Sequence, residues 1–239
     1  MPLYIVWGKP LRPKDVTYLF ERGYLRIHKG LWMSRSNSLD LDLKPVIDSC
    51  LDSITVLKTA RELQKPFINF EEGIYNLGSL ILVAYDLPRN VRVRKAVSRL
   101  LRRSPCFKLS PSIYLFPHTK YEEYDKTPIV SPSNLIKRII IYGGRITCAS
   151  RLILIHECSA KRIIEEFLNS LDKRVENVYN YCLTLENDEK FRDLKLLSEF
   201  KIEVKTLKAL LKFYKNEMGL SLNGVYSKVY KASKILSNF

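Results

Sequence analysis

No two cysteines in the chain are spaced CxxC. The five present (Cys50, Cys106, Cys148, Cys158, Cys182) are an odd number, and only His28, His118 and His156 stand beside them as further metal ligands. A tetrahedral zinc site therefore has little support, and reduced, buried thiols are expected. No apolar run reaches the roughly 18–20 residues that cross a bilayer. The opening MPLYIVWGKPLRPK lacks the charged-then-apolar order of a signal peptide, so a soluble cytoplasmic protein is expected. There is no phosphate-binding loop of the GxxxxGK type. His156-Glu157-Cys158 sets Cys and His side by side, but sequence neighbours rarely face one site and no oxyanion loop accompanies them. A single glutamine among many Ile, Lys and Arg leans toward a thermophilic, archaeal composition.

Basic charge is what the chain has in excess. Its 239 residues carry 40 Lys+Arg against 25 Asp+Glu, a net charge of +15, with the 46% hydrophobic content of a globular protein. The surplus is uneven. Residues 1–78 hold 11 basic and 9 acidic side chains, residues 79–158 hold 14 and 5, and residues 159–239 hold 15 and 11. Between Arg89 and Lys120 there are nine Lys or Arg and no acid. Like charges at helical spacing repel, and a polyanion is what relieves that repulsion. Nucleic acid is the common cytosolic polyanion; an acidic protein or an anionic membrane face has no further signal here. Arg89, Arg92, Arg94, Lys95, Arg99, Arg102, Arg103 and Lys108 are the expected contacts to DNA or, alternatively, RNA.

Periodicity supplies the elements. Residues 3–8 read as a strand, Pro13–Arg22 as a helix ending at Gly23, and YLRIHKGLWMSRS as a hairpin turning at Lys29-Gly30. Pro45 to about Lys65 reads as a helix with Val46, Cys50, Ile54 and Leu57 on one face, and NFEEGIYNLGS as a loop and boundary. LILVAY (80–85) is a strand buried on both faces. Val91–Arg103 is a helix with Val93, Val97, Leu100 and Leu101 inward; two short strands broken at Pro111, a helix over 133–142 and RITCASRLILI as one or two strands follow. The order β-α-β-β-α-β is the split βαβ, ferredoxin-like arrangement.

The expected fold is thus α+β: a ferredoxin-like domain over 79–156, a small N-terminal α/β unit over 1–70, and a helical region over 159–239. Residues 3–65 repeat the first five elements of that order, so the N-terminal unit reads as a degenerate repeat. It reads equally as a winged-helix remnant with YLRIHKGLWMS as its wing. In the helical region Leu197, Phe200, Val204, Leu207, Leu211, Tyr214 and Met218 form a heptad seam, a candidate surface for self-association or partner docking as well as for packing on the chain's own domains. Tyr114, Tyr121 and Tyr124, just past the basic stretch, are candidates for stacking on bases or for core packing. Asp86 is the only acid between Glu72 and Glu122, and Asp-Leu-Pro at a strand end reads as a turn and helix cap.

Tyr85-Asp86-Leu87-Pro88, Arg92 with Arg94, and Ser112-Ile113-Tyr114 resemble the small CRISPR-associated adaptation protein: a strand ending in Tyr-Asp-Leu/Ile, an Arg-rich helix, then a Ser-Ile/Val-aromatic strand. The central domain of phenylacetate-type transcriptional repressors looks like the same fold. The resemblance covers about a third of the chain and departs at Ser104-Pro105, where a glycine is usual. Chain length and domain order are closer to the repressors. It implies a catalytic role for Asp86, in which two symmetry-related copies hold Mg²⁺ or Mn²⁺ for phosphodiester attack. If the first half is a repeat, Gly8 occupies the matching place and one carboxylate is missing. The function expected is therefore nucleic-acid binding without a cofactor, as a DNA-binding regulator of transcription or an architectural factor. A metal-dependent endonuclease using Asp86 and a docking subunit of a nucleoprotein assembly are the alternatives.

Overall fold

The computed structural model describes residues 3–7, 13–34, 54–120, 124, 128–187, 193–220 and 222–239. Within them the chain is mixed α/β: an eight-stranded antiparallel sheet, a separate two-stranded hairpin and six helices. The first half runs β1 (Leu3–Trp7), α1 (Pro13–Glu21), β2 (Leu25–His28), β3 (Leu31–Ser34) and β4 (Ile54–Thr59). The hairpin β5 (Phe67–Asn69) and β6 (Ile74–Asn76) links it to β7 (Leu80–Asp86), α2 (Val91–Arg102), β8 (Phe107–Ser110), β9 (Ile113–Pro117), α3 (Pro132–Ile141) and β10 (Arg145–Leu154). Three helices follow: α4 (Glu157–Asn187), α5 (Leu194–Met218) and α6 (Asn223–Ser237).

The sheet order is β2-β3-β1-β4-β10-β7-β9-β8. Each half therefore has its own first strand in the interior, flanked by its third and fourth, with its second strand at the outer edge. The halves join where β10 pairs antiparallel with β4, Leu152 opposite Thr59 and Leu154 opposite Leu57. β10 also pairs with β7, from Arg145 opposite Asp86 to Ala149 opposite Leu82 and, after a register shift between Ala149 and Leu152, with Leu152 opposite Leu80. Arg151, at φ +55°, sits in that irregularity. A bulge bends its strand, and here it lies just before β10 takes up β4 as a second partner at Leu152.

Because of that bend the two half-sheets face each other. β2 and β7 are five places apart in the order, roughly 24 Å across a flat sheet at about 4.8 Å per strand. Yet His28 at the end of β2 lies 3.2 Å from Asp86 at the end of β7, and β1 touches β8. Strand alternation follows from this. Leu80, Leu82 and Ala84 point into a core shared with Val6, Leu31 and Leu57, while Val83 and Tyr85 point outward to Val97 of α2 and Leu135 and Ile139 of α3. Ile5, Trp32, Ile54 and Val56 face Leu19 in the first half. α4 closes the open side of the shared core with Ala160, Ile163 and Ile164, and α5 adds Leu210, Phe213 and Tyr214. The start of α4 is tied to β4 by Ser159 Oγ donating to the Ile54 carbonyl (3.3 Å) and Arg162 Nη2 donating to Thr55 Oγ1 (2.8 Å). Residues of the three sequence segments thus contribute to one core.

Several expectations change. The helix over Pro45–Lys65 is overturned in its second half, where Ile54–Thr59 is β4; residues 45–53 lie outside the described residues. ITVLKT is rich in β-branched residues, and pairing with β1 and β10 on both sides stabilises it as an interior strand. The loop expected over 69–79 contains β6, which pairs with β5. The β2–β3 hairpin does turn at Lys29-Gly30, with Gly30 at φ +79°, and it joins the sheet through β1. Gly8 and Cys50 lie outside the described residues. Cys182 is buried as expected and Cys106 half-buried, but Cys148 and Cys158 are exposed. No helix among the described residues is long and apolar enough to cross a membrane.

Candidate nucleic-acid interface

α2 places the basic stretch on the surface. It opens at Asn90, whose Oδ1 accepts from the backbone N–H of Arg92 (2.9 Å) and Val93 (3.3 Å). This is the cap that sequence reasoning gave to Asp86. The helix has no acid in its first turn, and Arg99 and Arg102 in its last turn complement its dipole. Val97 is fully buried and Leu100 and Leu101 pack beside it, which turns the arginines outward. Arg89, Arg92, Arg94, Lys95, Arg99, Arg102 and Lys108 are all exposed. Among the described residues no carboxylate forms an ion pair with any of the seven.

Arg103 differs from its neighbours. It is half-buried, its Nε donates to the Pro128 carbonyl (2.9 Å), and its own carbonyl accepts from Val130 N–H (2.9 Å). It anchors the segment leading into α3 and is not a free outward cation.

Beside α2 lies a cleft of about 690 Å³ between the helix, the β8–β9 turn, α4 and α5. Arg94 and Arg102, two helical turns apart, line it with Lys108 from β8 and Asp86 from the end of β7. Arg89, Arg92, Lys95, Arg99 and Arg103 do not. Arg174 of α4 also lines it, and sequence reading missed this residue, because nothing local distinguishes it from the other charges of a long polar helix. Arg174 holds the Glu203 carboxylate through Nε (3.0 Å) and Nη2 (2.7 Å) and donates from Nη2 to the Arg102 carbonyl (3.1 Å). The end of α2 is thereby fixed to the C-terminal helices.

The inner wall is neutral. Leu171, Leu210 and Tyr214 are buried there. Burial pushes the Cys106 thiol up to about 12, a shift that Arg174 only partly offsets, so the group is a thiol and not a thiolate nucleophile. Burial also raises the phenols of Tyr85 and Tyr114, which remain O–H donors. Their rings lie parallel, 6.1 Å between centroids. Ser112, in the β8–β9 turn, is one of two non-glycine residues at positive φ among the described residues, at +70°, and its carbonyl accepts from Tyr85 N–H (3.0 Å).

Asp86 stands at the lip, its side chain 64% exposed. Its Oδ1 is 3.2 Å from His28 Nε2, which also lies 3.1 Å from the Tyr85 carbonyl, while His28 Nδ1 is 3.1 Å from the Lys29 carbonyl. A Cβ on Gly144 would come within 2.6 Å of Ile139 Cγ2 and 3.0 Å of the Asp86 carbonyl, so a glycine is required where β10 begins beside β7. Among the described residues no group of three or more His, Cys, Asp or Glu is placed to hold a metal ion.

The other candidates are placed elsewhere. Leu197, Val204, Leu207 and Leu211 are buried in the chain's own bundle against Val175, Cys182 and Val229, with Phe200 stacked on Tyr181 at 4.0 Å. Tyr214 and Met218 enter the shared core. The heptad seam is consumed internally and offers no docking surface. Tyr124 is buried against Phe213 and is not free to stack on bases; Tyr121 lies outside the described residues.

No family model matches the chain, and neither a curated protein nor a solved structure matches it.

Proposed function

We propose that this chain is a nucleic-acid-binding protein, a DNA-binding regulator or architectural factor, that contacts the phosphate backbone through the exposed face of α2 and the adjoining Lys108. The observation that carries the reading is the set of seven exposed cations on and beside one helix that have no carboxylate partner among the described residues. Surfaces that only need solvation mix both signs. One sign alone creates a field that attracts a polyanion and is relieved by it. We further infer that the sheet consists of two ferredoxin-like units fused in one chain. The shared strand order of the two halves supports this, as does the resemblance of residues 80–117 to the adaptation protein; the segment that would hold the first unit's second helix, 35–53, lies outside the described residues.

The test is retention of labelled DNA and RNA by wild type and by the double variant Arg94→Glu, Arg99→Glu. Both side chains are exposed, and such reversals change stability by about 0.5 kcal/mol or less. Binding lost in a variant with an unchanged melting temperature supports the reading. Unchanged affinity would place the interface elsewhere.

A further inference from the structure

We propose that the cleft beside α2 is a nucleotide pocket, which takes the 5′-phosphorylated terminal nucleotide of a strand. The inference rests on the nucleic-acid reading and names the part of the polymer that this site selects.

The cleft's volume, about 690 Å³, falls within the range of sites that enclose small organic ligands, roughly 300–1,000 Å³. Its chemistry is divided by depth. The exposed rim carries Arg94, Arg102 and Lys108 against the single carboxylate of Asp86, since the charge of Arg174 is already matched by Glu203. The inner wall offers buried Leu171, Tyr85 and Tyr214 with half-buried Tyr114.

Three cations that have no carboxylate partner among the described residues, against one acid, suit a phosphomonoester, about −1.5 to −2 at neutral pH, better than an internal phosphodiester of charge −1. An apolar wall edged by the Tyr85 and Tyr114 phenols, which hydrogen-bond each other, suits a base, which has a π-face and polar edges. α4 and α5 wall the cleft on one side, which suits the end of a strand. The strained Ser112 backbone lies at the same site, where departures from ordinary φ/ψ concentrate when a surface is shaped for a ligand.

The experiment measures anisotropy of the full chain with 3′-labelled single strands bearing a 5′-phosphate or a 5′-hydroxyl, at constant salt, and binding of a nucleoside 5′-monophosphate by calorimetric titration of the same chain. The pocket predicts roughly tenfold tighter binding of the phosphorylated strand, the worth of about one charge-assisted hydrogen bond. Ser170→Trp, which fills the cleft without altering any charge, should bring the two strands to equal affinity. Ser98→Trp, from the α2 side, repeats the test if the first variant fails to fold. Equal affinity of the two strands in wild type overturns the pocket and leaves the nucleic-acid reading standing. Neither strand binding while the mononucleotide does would overturn that reading and make the pocket a site for free nucleotides. No binding of any of the three overturns both.

Discussion

His28 and Asp86, one from each half of the sheet, meet at 3.2 Å with the imidazole buried and the carboxylate exposed. In the nuclease alternative the partner of this aspartate is a second aspartate; here it is a histidine whose two nitrogens both face oxygen atoms. The pair fixes the mouth of the two facing half-sheets beside the basic cleft.

Asp86→Asn should cost about 1 kcal/mol or less of stability, because the carboxylate is mostly solvated. His28→Ala should cost more, about 1–3 kcal/mol, because it strips a buried hydrogen bond to the Tyr85 carbonyl. Urea denaturation compares the two. The same samples, incubated with DNA and RNA in Mg²⁺ or Mn²⁺, should show no cleavage. Cleavage by wild type that vanishes in Asp86→Asn would establish the nuclease reading instead.

Arg103→Glu separates structure from binding within one helix. Its guanidinium donates to the Pro128 carbonyl and is half-buried, so reversal should lower stability by about 1–3 kcal/mol. Arg99→Glu, exposed on the same helix, should leave the melting temperature unchanged and weaken binding. Equal melting temperatures for the two variants would contradict the anchoring role of Arg103.

Leu207→Asp should unfold the helical bundle rather than dissociate an oligomer. Leu207 is fully buried between α4, α5 and α6, and an unpaired carboxylate there costs several kcal/mol. Loss of the cooperative urea transition is the expected result. A stable, monodisperse variant of lower mass than wild type would show that the seam faces another copy.

Alkaline pH should destabilise the fold. Burial raises the phenols of Tyr114, Tyr124 and Tyr214 above their ordinary value of 10.0, and the Cys106 thiol from 9.0 to about 12. The folded chain keeps these protons while the unfolded chain releases them, so the stability is whole below about pH 9 and is lost as pH rises through the folded-state values. Each group can contribute a slope of up to about 1.4 kcal/mol per pH unit. A melting temperature that stays level to about pH 11 would contradict this burial.

Local pattern carried the basic helix and its surroundings into view. The apolar run at 80–85, the Arg-rich amphipathic stretch after it and the turn at Pro111-Ser112 all have periods or breakers that belong to one kind of element. Ile54–Thr59 was misread because Val46, Cys50, Ile54 and Leu57 also fit a helical period; what decides is pairing with β1 and β10, residues far off in sequence. The seam from Leu197 to Met218 was legible as apolar, but not as facing inward. The cleft was the least legible part. Asp86 and His28 are 58 positions apart and Arg174 lies 72 beyond Arg102, so only the folding of one half-sheet over the other and the docking of α4 bring these groups to one place.

The salt dependence of binding tests the central claim most directly. If about six of the cations on and around α2 contact phosphates of duplex DNA, log K should fall against log salt with a slope of roughly −5. The Arg94→Glu, Arg99→Glu variant should show a shallower slope. A slope near zero in wild type, or no binding at low salt, would contradict a phosphate-reading role for this face.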